Sequence, residues 1–185
     1  MMTLLWMLLF GFVVAILLAW LRWLRLRAGE RASRPHELKA AHPVYMERQF
    51  RSRGPISIVA RLDRAYRLQN GRIVLVELKT RAGDRAYPSD IIQLSAQKLA
   101  LEGEAGEEVE SYAFVTVLRP DHPRRWRSHR VTLLDSSQLQ ALARRREAVL
   151  DGRATPTYAA SNRACAGCAL RPRCDRPDTW VDARR

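Results

Sequence analysis

The sequence predicts a small mixed α/β domain that follows one transmembrane helix. Three observations favour this class: the first 21 residues carry no charged side chain, two later segments alternate apolar and polar residues as strands do, and the helix-like and strand-like segments follow in the order α-β-β-α-β-β-α. A length of 185 residues suits one domain of ordinary size with a short extension and is too short for two full-sized domains.

Residues 4–21 are an uninterrupted apolar run, close to the ~20 residues that a helix needs to cross the hydrocarbon core. A cleaved signal peptide would instead have basic residues before a shorter apolar core and a small-residue cleavage site after it. Trp20 and Trp23 suit a membrane interface, and arginines follow at positions 22, 25, 27, 31 and 34. Because basic flanks favour the cytoplasmic side, we expect a single-pass protein of the cell inner membrane with its C-terminal domain in the cytoplasm. A buried core helix is the alternative.

The remaining elements are predicted from the period of the apolar residues and from turn signals. They are, in chain order, a short helix within 36–53, strands over 56–68 and 72–80, a helix over 89–102, strands over 112–118 and 131–134, and a helix over 138–150. Ser89 is a suitable N-cap for the first of the two long helices, and Gly103 follows its end. Ser136 or Ser137 could cap the second, and Gly152 would end it.

The composition excludes two classes of protein. With 47% hydrophobic and 28% charged residues, the chain is neither a disordered polyelectrolyte nor a protein with many membrane spans. Its net charge of +13 suits a polyanionic partner, either nucleic acid or an anionic membrane surface. Only three of the 32 basic residues are lysines, and such an arginine-rich balance also arises from GC-rich coding. The charge alone therefore does not choose a partner.

The second strand of the predicted hairpin carries an acid and a lysine in an otherwise apolar run. Residues two apart on a strand point to the same face, so Glu77 and Lys79 project together. A three-residue loop ending at Gly71, in the left-handed conformation, places Asp63 opposite Glu77, whereas a two-residue loop shifts Asp63 to the wrong face. We expect the three-residue loop, with Asp63, Glu77 and Lys79 on one face. The other face would hold Leu62, Tyr66, Val74, Val76 and Leu78.

These three residues are candidates for metal-dependent chemistry. Two carboxylates close together repel each other unless a cation lies between them. Hard oxygen ligands suit Mg²⁺ or Mn²⁺, which keep several waters and take further ligands from phosphate. A lysine beside Asp63 and Glu77 can orient or deprotonate an attacking water, or stabilise charge on a phosphate. The alternative is an ordinary cross-strand salt bridge on a surface strand.

Three motifs follow one another in the chain: Ala60-Arg61-Leu62-Asp63, Glu77-Leu78-Lys79-Thr80, and a helix beginning near Asp90-Ile91-Ile92-Gln93-Leu94. Their order resembles the PD-(D/E)XK nuclease superfamily, and within it the RecB-type branch that includes CRISPR-associated exonucleases with C-terminal cysteines. The likeness covers roughly residues 42–175. It implies a restriction-endonuclease-like core, a small mixed sheet flanked by helices.

The resemblance also implies which residues form the site, namely Asp63 and Glu77 as ligands of Mg²⁺ or Mn²⁺, Lys79 as the catalytic lysine, Gln93 as a bordering residue and, as a weaker match, Glu47. Where the branch has Tyr in its Q-x-x-x-Y helix, this chain has Gln97. The pair of Gln93 and Gln97 also fits the solvated edge of an amphipathic helix.

Cys165, Cys168 and Cys174 have the spacing C-x2-C-x5-C. In a cytosolic domain a disulfide is disfavoured, which favours a metal site. The resemblance implies a 4Fe–4S iron–sulfur cluster, which would need a fourth ligand that is not a cysteine. His36 or His42 could supply it. The alternatives are Zn²⁺ on the same cysteines, or no metal at all.

A basic turn is the candidate nucleic-acid-binding segment. Its arginines would contact the phosphate backbone and its indole would stack on a base, although a solvated loop is the alternative. The residues are Arg124, Arg125, Trp126 and Arg127.

We therefore expect three parts: a transmembrane anchor with its basic flank over 1–27, a nuclease core over 28–150, and a cysteine-containing extension over 151–185. The expected function is that of a membrane-anchored, divalent-metal-dependent DNA nuclease. One alternative is a catalytically inactive PD-(D/E)XK-like module that binds nucleic acid at the membrane. Another is a protein whose basic face only lies on anionic lipid.

Overall fold

The computed structural model describes residues 2–54, 56–122 and 125–158, and in the C-terminal part residues 165, 168, 169 and 171–174; for 2–9 and 23–27 only the backbone is described. Two compact units are present, Met1–Gln140 and Ala141–Arg185. The elements are α1 (Met2–Ser33), β1 (His42–Ser52), β2 (Ile58–Arg67), β3 (Ile73–Thr80), α2 (Pro88–Ala105), β4 (Tyr112–Leu118), β5 (Trp126–Thr132) and α3 (Ser136–Leu150), with 3₁₀ turns at His36–Leu38 and Arg171–Arg173.

The five strands form one sheet in the order β1-β2-β3-β4-β5. β3 and β4 are parallel, and α2 provides the crossover that parallel neighbours require, whereas the other neighbouring strands are antiparallel. β3 lies in the middle and is buried from Ile73 to Glu77, as its near-continuous apolar sequence predicts. The predicted mixed α/β class is therefore confirmed.

Each face of the sheet packs its own hydrophobic cluster. The larger cluster joins the sheet to Leu94 and Leu101 of α2, and we call this side the α2 face. The smaller cluster lies beside the first 3₁₀ turn and the end of α1, on the side that we call the α1 face; it contains Leu38, Ala41, Tyr66, Val74, Val76 and Phe114. Leu62 packs on the α2 face and not with Tyr66, so this predicted position is wrong. The regular alternation of side chains between the two faces is interrupted on β2 between Leu62 and Tyr66. This part of β2 pairs with β1 around Glu47, whose φ is +51°.

Several predicted boundaries are corrected by the structure. The short helix predicted within 36–53 is limited to the 3₁₀ turn at His36–Leu38, whereas residues 42–52 form a strand, because they pair along their length with β2 at the edge of the sheet. β5 begins at Trp126 and not at Val131, so the predicted basic turn is partly strand. α2 continues through Gly103 and ends at Gly106, whose φ of +66° gives the left-handed helix end.

Acidic residues cap the two long helices of the domain, in place of the predicted serines. α2 begins after Tyr87, whose backbone N–H donates to the Asp90 carboxylate at 2.8 Å. α3 begins after Asp135, whose carboxylate accepts the N–H of Gln138 at 2.9 Å. In both helices an ionised side chain therefore satisfies a backbone donor at or near the N-terminus, where the helix dipole favours negative charge.

A buried polar cluster attaches the end of α1 to the sheet. Glu30 accepts hydrogen bonds from Tyr66 Oη at 2.7 Å and from Arg34 Nε and Nη2 at 2.8 and 2.9 Å. Arg64 donates to Ser33 Oγ at 2.6 Å. Burial opposes ionisation of Glu30, but the hydrogen bonds and the neighbouring arginines outweigh it and lower its pKa. Burial, together with the hydrogen bond to Glu30, raises the pKa of Tyr66 to about 12.

α1 includes the predicted membrane anchor. Most of its described apolar side chains are exposed, among them Phe10, Phe12, Ile16, Leu18 and Trp20. The side chains of residues 4–9 lie outside the described part of the chain. No helix among the described residues combines the length and the apolar character needed to cross a membrane, so the predicted transmembrane helix is not confirmed.

Candidate active site

The β2–β3 hairpin has the register that the sequence predicts. Arg64 pairs with Val76 and Arg67 with Ile73, and the same register places Asp63 opposite Glu77. The loop has three residues: Leu68 N–H donates to the carbonyl of Arg72 at 2.8 Å, and Gly71 has a φ of +85°. A left-handed glycine at this position is what a three-residue hairpin loop requires.

Asp63 lies where β2 and β3 begin to separate. Beyond the last paired residues, Arg64 and Val76, its carboxylate accepts the backbone N–H of Leu78 at 2.7 Å. This hydrogen bond replaces a strand–strand contact and brings the carboxylate to β3, one residue from both Glu77 and Lys79. Asp63 is half-buried, and so it remains accessible from solvent.

Glu77 is the most enclosed acid of the site, with only 3% of its surface exposed. Its Oε1 accepts hydrogen bonds from Lys79 Nζ at 2.7 Å and from Gln93 Nε2 at 2.6 Å, while its Oε2 accepts one from Gln97 Nε2 at 2.8 Å. Lys79 Nζ also donates to Gln93 Oε1 at 2.9 Å. A buried carboxylate requires such partners, and the lysine supplies the balancing charge.

Gln97 belongs to the site although the sequence interpretation gave it no role there. It is 2% exposed, and its amide nitrogen donates to the backbone carbonyl of Arg61 at 3.0 Å as well as to Glu77. The alternative of a solvated helix edge for Gln93 and Gln97 is therefore wrong, and Gln93 lies beside the site as the sequence predicts. The missed signal is spacing: Gln97 lies on the same helical stripe as Leu94 and Leu101, which faces the sheet.

A buried ion pair fixes the start of α2 next to the site. Arg81 contacts both oxygens of Asp90, at 3.1 and 2.7 Å, and its guanidinium lies 4.3 Å from the ring centroid of Tyr87. Burial opposes ionisation of Asp90, but the Arg81 contacts, the Tyr87 N–H and the charge of Lys79 hold its pKa below the usual range. Gln93, one turn further along, is thereby held against Glu77 and Lys79.

Glu47 lies at the edge of the site. The neighbouring pairs, Met46 with Arg64 and Arg48 with Leu62, put it opposite Asp63 on β1. Its side chain is exposed and forms an ion pair with Arg61 at 2.9 Å. The structure thus brings Asp63, Glu77, Lys79 and Gln93 together, with Glu47 on the next strand and its carboxylate engaged elsewhere.

The donor set of the site suits a divalent cation of the Mg²⁺ type. Asp63 and Glu77 offer hard oxygens from adjacent strands, and Glu77 already holds a cation, the Lys79 ammonium, on Oε1. Among the described residues no three His, Cys, Asp or Glu side chains are grouped so as to hold a metal. A metal bound at this site would therefore take two protein carboxylates and complete its shell with water and substrate oxygens.

The predicted nucleic-acid-binding segment is divided between the two faces of the sheet. Arg127 pairs with Val117, which packs on the α2 face, so its side chain is on the same face as Lys79. Trp126 lies beside Phe114 and Arg31 on the α1 face. Arg125 is exposed before β5, and Arg124 lies outside the described residues.

The three cysteines follow one another in consecutive turns. Cys168 N–H donates to the carbonyl of Cys165, Arg171 N–H to that of Cys168, and Cys174 N–H to that of Arg171, each at 3.1 Å. Cys168 and Cys174 are exposed. The described residues, these cysteines included, contain no grouped metal ligands, so the iron–sulfur or zinc site stays a prediction.

Comparison with known proteins gave one family. The sequence model of one protein family, described as the PD-(D/E)XK nuclease superfamily, matches residues 12–175. Among solved structures, one titled "Crystal structure of SSO0001" is 17% identical, with a TM-score of 0.48, and the match covers 87% of this chain and 70% of that chain. The search of curated proteins found no match.

Proposed function

The chain belongs to the PD-(D/E)XK nuclease superfamily, and from this premise we propose that it is a divalent-metal-dependent DNA nuclease that hydrolyses phosphodiester bonds. One observation carries the proposal: Lys79 Nζ lies 2.7 Å from the buried Glu77 carboxylate, on the strand that faces Asp63. An acid pair with an adjacent lysine has the groups that a metal-assisted hydrolysis needs.

Each residue of the site has a role in this proposal. Mg²⁺ or Mn²⁺, when bound, supplies positive charge for the phosphate and a water that is more easily deprotonated. Asp63 and Glu77 would hold the cation. Lys79 Nζ would orient the attacking water and, once it has given up its own proton, would take up the proton of that water; as an ammonium it would instead stabilise charge on the phosphate oxygens. Hydrolysis forms the bond between the water oxygen and phosphorus and breaks the bond between phosphorus and the leaving oxygen, which takes up a proton.

The amide side chains of α2 keep this arrangement in place. Gln93 contacts Lys79 through its oxygen and Glu77 through its nitrogen, so it fixes the distance between Lys79 Nζ and the Glu77 carboxylate. Gln97 restrains the second oxygen of Glu77. Partners of this kind, one shell away from a metal, orient its ligands and tune its affinity.

We also propose where in the cell the enzyme lies and which further metal group it carries. An anchor in the cell inner membrane with a cytoplasmic C-terminal domain is supported by three features: the uncharged residues 1–21, the exposed apolar side chains of the described part of α1, and the arginines that follow.

The spacing of Cys165, Cys168 and Cys174 supports a 4Fe–4S cluster, with Zn²⁺ as the alternative. Iron content and colour of anaerobically purified protein test the cluster independently of cleavage.

A second candidate is a PD-(D/E)XK-like module that binds nucleic acid without cutting it. The hydrogen bonds of Glu77 favour it, because both carboxylate oxygens already have side-chain partners. Gln97 also stands where the related branch has Tyr. Such a module would bind DNA with or without a divalent cation and would leave it intact.

Cleavage of labelled single- and double-stranded DNA by the full chain, with Mg²⁺, Mn²⁺ or a chelator, separates the two candidates. Lys79→Ala is the test variant, and Lys98→Ala is a matched control. Both lysine side chains are partly buried, 27% and 23% exposed, and both pair with a glutamate. We expect metal-dependent cleavage that Lys79→Ala abolishes and Lys98→Ala keeps. Binding without metal-dependent cleavage would favour the second candidate, and cleavage that survives Lys79→Ala would contradict the site.

A further inference from the structure

The basic residues of β5 are divided between the two faces of the sheet. Arg127 and His129 pair with Val117 and Val115, which both pack on the α2 face. Arg130 lies on the opposite face, where it stacks 3.8 Å from the ring centroid of Tyr112. Only the first two are thus on the face of the sheet that carries Glu77 and Lys79.

A single carboxylate holds Arg127 and His129 together. His129 Nε2–H donates to Asp84 Oδ1 at 2.8 Å, and Arg127 Nη1 contacts Asp84 Oδ2 at 3.0 Å. The hydrogen bond from His129 is the main cause that lowers the pKa of Asp84; burial opposes it, and the charge of Arg127 adds to it. Asp84 is therefore ionised near neutral pH and fixes both side chains.

Asp84 is itself fixed in the connection between β3 and α2. The connection begins two residues after Lys79, and the buried ion pair of Arg81 with Asp90 anchors it. Gly83 allows the ring hydroxyl of Tyr87 to lie against the backbone, since a Cβ there would come within 2.3 Å of that oxygen. The Arg127 guanidinium and the His129 ring are thus held in place before any ligand binds.

The register places this pair close to the active site. Lys79 pairs with Val117, which pairs with Arg127, and Glu77 pairs with Val115, which pairs with His129. Two strand spacings separate each of these residues from its counterpart, about 10 Å. Arg127 has a side chain that is 53% exposed, and its guanidinium has five N–H donors in a planar fork.

We propose that Arg127, with His129 beside it, forms a phosphate subsite for the nucleic-acid strand, which binds a phosphodiester next to the one at Lys79, and that Asp84 is the residue that positions the Arg127 guanidinium. The subsite rests on the proposed nuclease function, since it assumes that the strand crosses the α2 face. A guanidinium that is already held in place binds a phosphate without the loss of side-chain freedom that a flexible surface arginine undergoes.

Arg130 provides a matched control for Arg127. Both are on β5, they are 55% and 53% exposed, and each pairs with one acid, Glu37 for Arg130 and Asp84 for Arg127. The experiment measures binding of labelled single-stranded DNA to the full chain in a chelator, over a range of salt concentrations, for Arg127→Gln and Arg130→Gln. We expect Arg127→Gln to weaken binding about tenfold and to reduce the salt slope by about one. Arg130→Gln should change neither.

Asp84 variants separate positioning from simple charge. Loss of an acid strengthens binding to a polyanion if charge alone matters, and Asp84→Ala and Asp84→Asn lose the same charge. We expect Asp84→Ala to weaken binding, and Asp84→Asn, whose amide oxygen keeps one of the two acceptors, to weaken it less. Tighter binding by Asp84→Ala, or equal losses in Arg127→Gln and Arg130→Gln, would overturn the subsite while the unmodified chain still binds and cleaves. If the unmodified chain neither binds nor cleaves DNA, the proposed function fails with it.

Discussion

Two buried carboxylates, one on each face of the sheet, are neutralised by cations of different chemistry. On the α1 face, Arg34 contacts both oxygens of Glu30, and Tyr66 adds a hydrogen bond. On the α2 face, Glu77 is held by Lys79 and two amides. Arginine keeps its proton, whereas lysine can lose one, and amides can turn towards another partner.

The comparison shows that a buried ion pair is not by itself evidence of an active site. The cluster around Glu30 is closed by groups that do not exchange protons near neutral pH, and it joins α1 to the sheet. The cluster around Glu77 is made of replaceable partners and lies beside a second carboxylate, Asp63. We therefore assign stability to the first and cleavage to the second, which substitutions in the two clusters can separate.

The largest expected effect is on cleavage by Glu77→Gln. The substitution removes the negative charge of a proposed metal ligand and keeps its size, so we expect the cleavage rate to fall about 10³-fold, the order of losing one catalytic group. The initial rate on labelled DNA at saturating Mg²⁺ measures it, with the thermal midpoint as a check of folding. A rate within about tenfold of the unmodified chain would contradict the assignment.

Glu30→Gln is the counterpart on the α1 face. It leaves the guanidinium of Arg34 without its charged partner, and breaking a buried pair lowers the free energy of unfolding by about 3 kcal/mol. Urea denaturation measures this change, and the cleavage rate of the folded variant should be unchanged. Full stability, or a loss of cleavage comparable to that of Glu77→Gln, would remove the distinction between the two clusters.

The pH dependence of the same pair of proteins sharpens the comparison. The pKa of Glu30 is lower in the folded protein than its ordinary value of 4.5, so its ionised form stabilises the fold above that pH. This contribution is lost as the pH falls through the lowered pKa. The difference in unfolding free energy between the unmodified chain and Glu30→Gln should thus be level near neutral pH and shrink below 4.5. A difference in unfolding free energy that grows as the pH falls would contradict the stabilising role of ionised Glu30.

The smallest expected effect comes from Gln97→Ala. Without this amide, the second oxygen of Glu77 and the carbonyl of Arg61 lose their partner, and we expect Mn²⁺ to bind about tenfold more weakly. Calorimetric titration measures the affinity, and Gln140→Ala, which removes a half-buried amide of α3 that donates to Ser136 Oγ, serves as the control. Equal affinities for the two variants would mean that Gln97 has only a packing role.

The sequence was sufficient wherever the determining interactions are local. The loop ending at Gly71 fixes the hairpin register, and this register brings Asp63, Glu77 and Lys79 together. The order strand, helix, strand over β3, α2 and β4 follows equally from the apolar period of each segment. These features need no knowledge of distant contacts.

What the sequence did not predict depends on partners far along the chain. Residues 42–52 have no clear strand period, and they become β1 because β2 offers an open edge. The start of β5 at Trp126 depends in the same way on pairing with β4. The spacing of Gln97 indicates that it faces the sheet, but its partner could be assigned only when the carboxylate of Glu77 was known to lie beneath α2.

The most direct test of the central claim is a calorimetric titration of Mn²⁺ into the full chain, Glu77→Gln and Glu30→Gln. We predict saturable binding to the unmodified chain that Glu30→Gln retains and Glu77→Gln loses, because only the carboxylate on the α2 face would hold the cation. Equal binding to Glu77→Gln and the unmodified chain would contradict the account, since the metal would then be bound elsewhere.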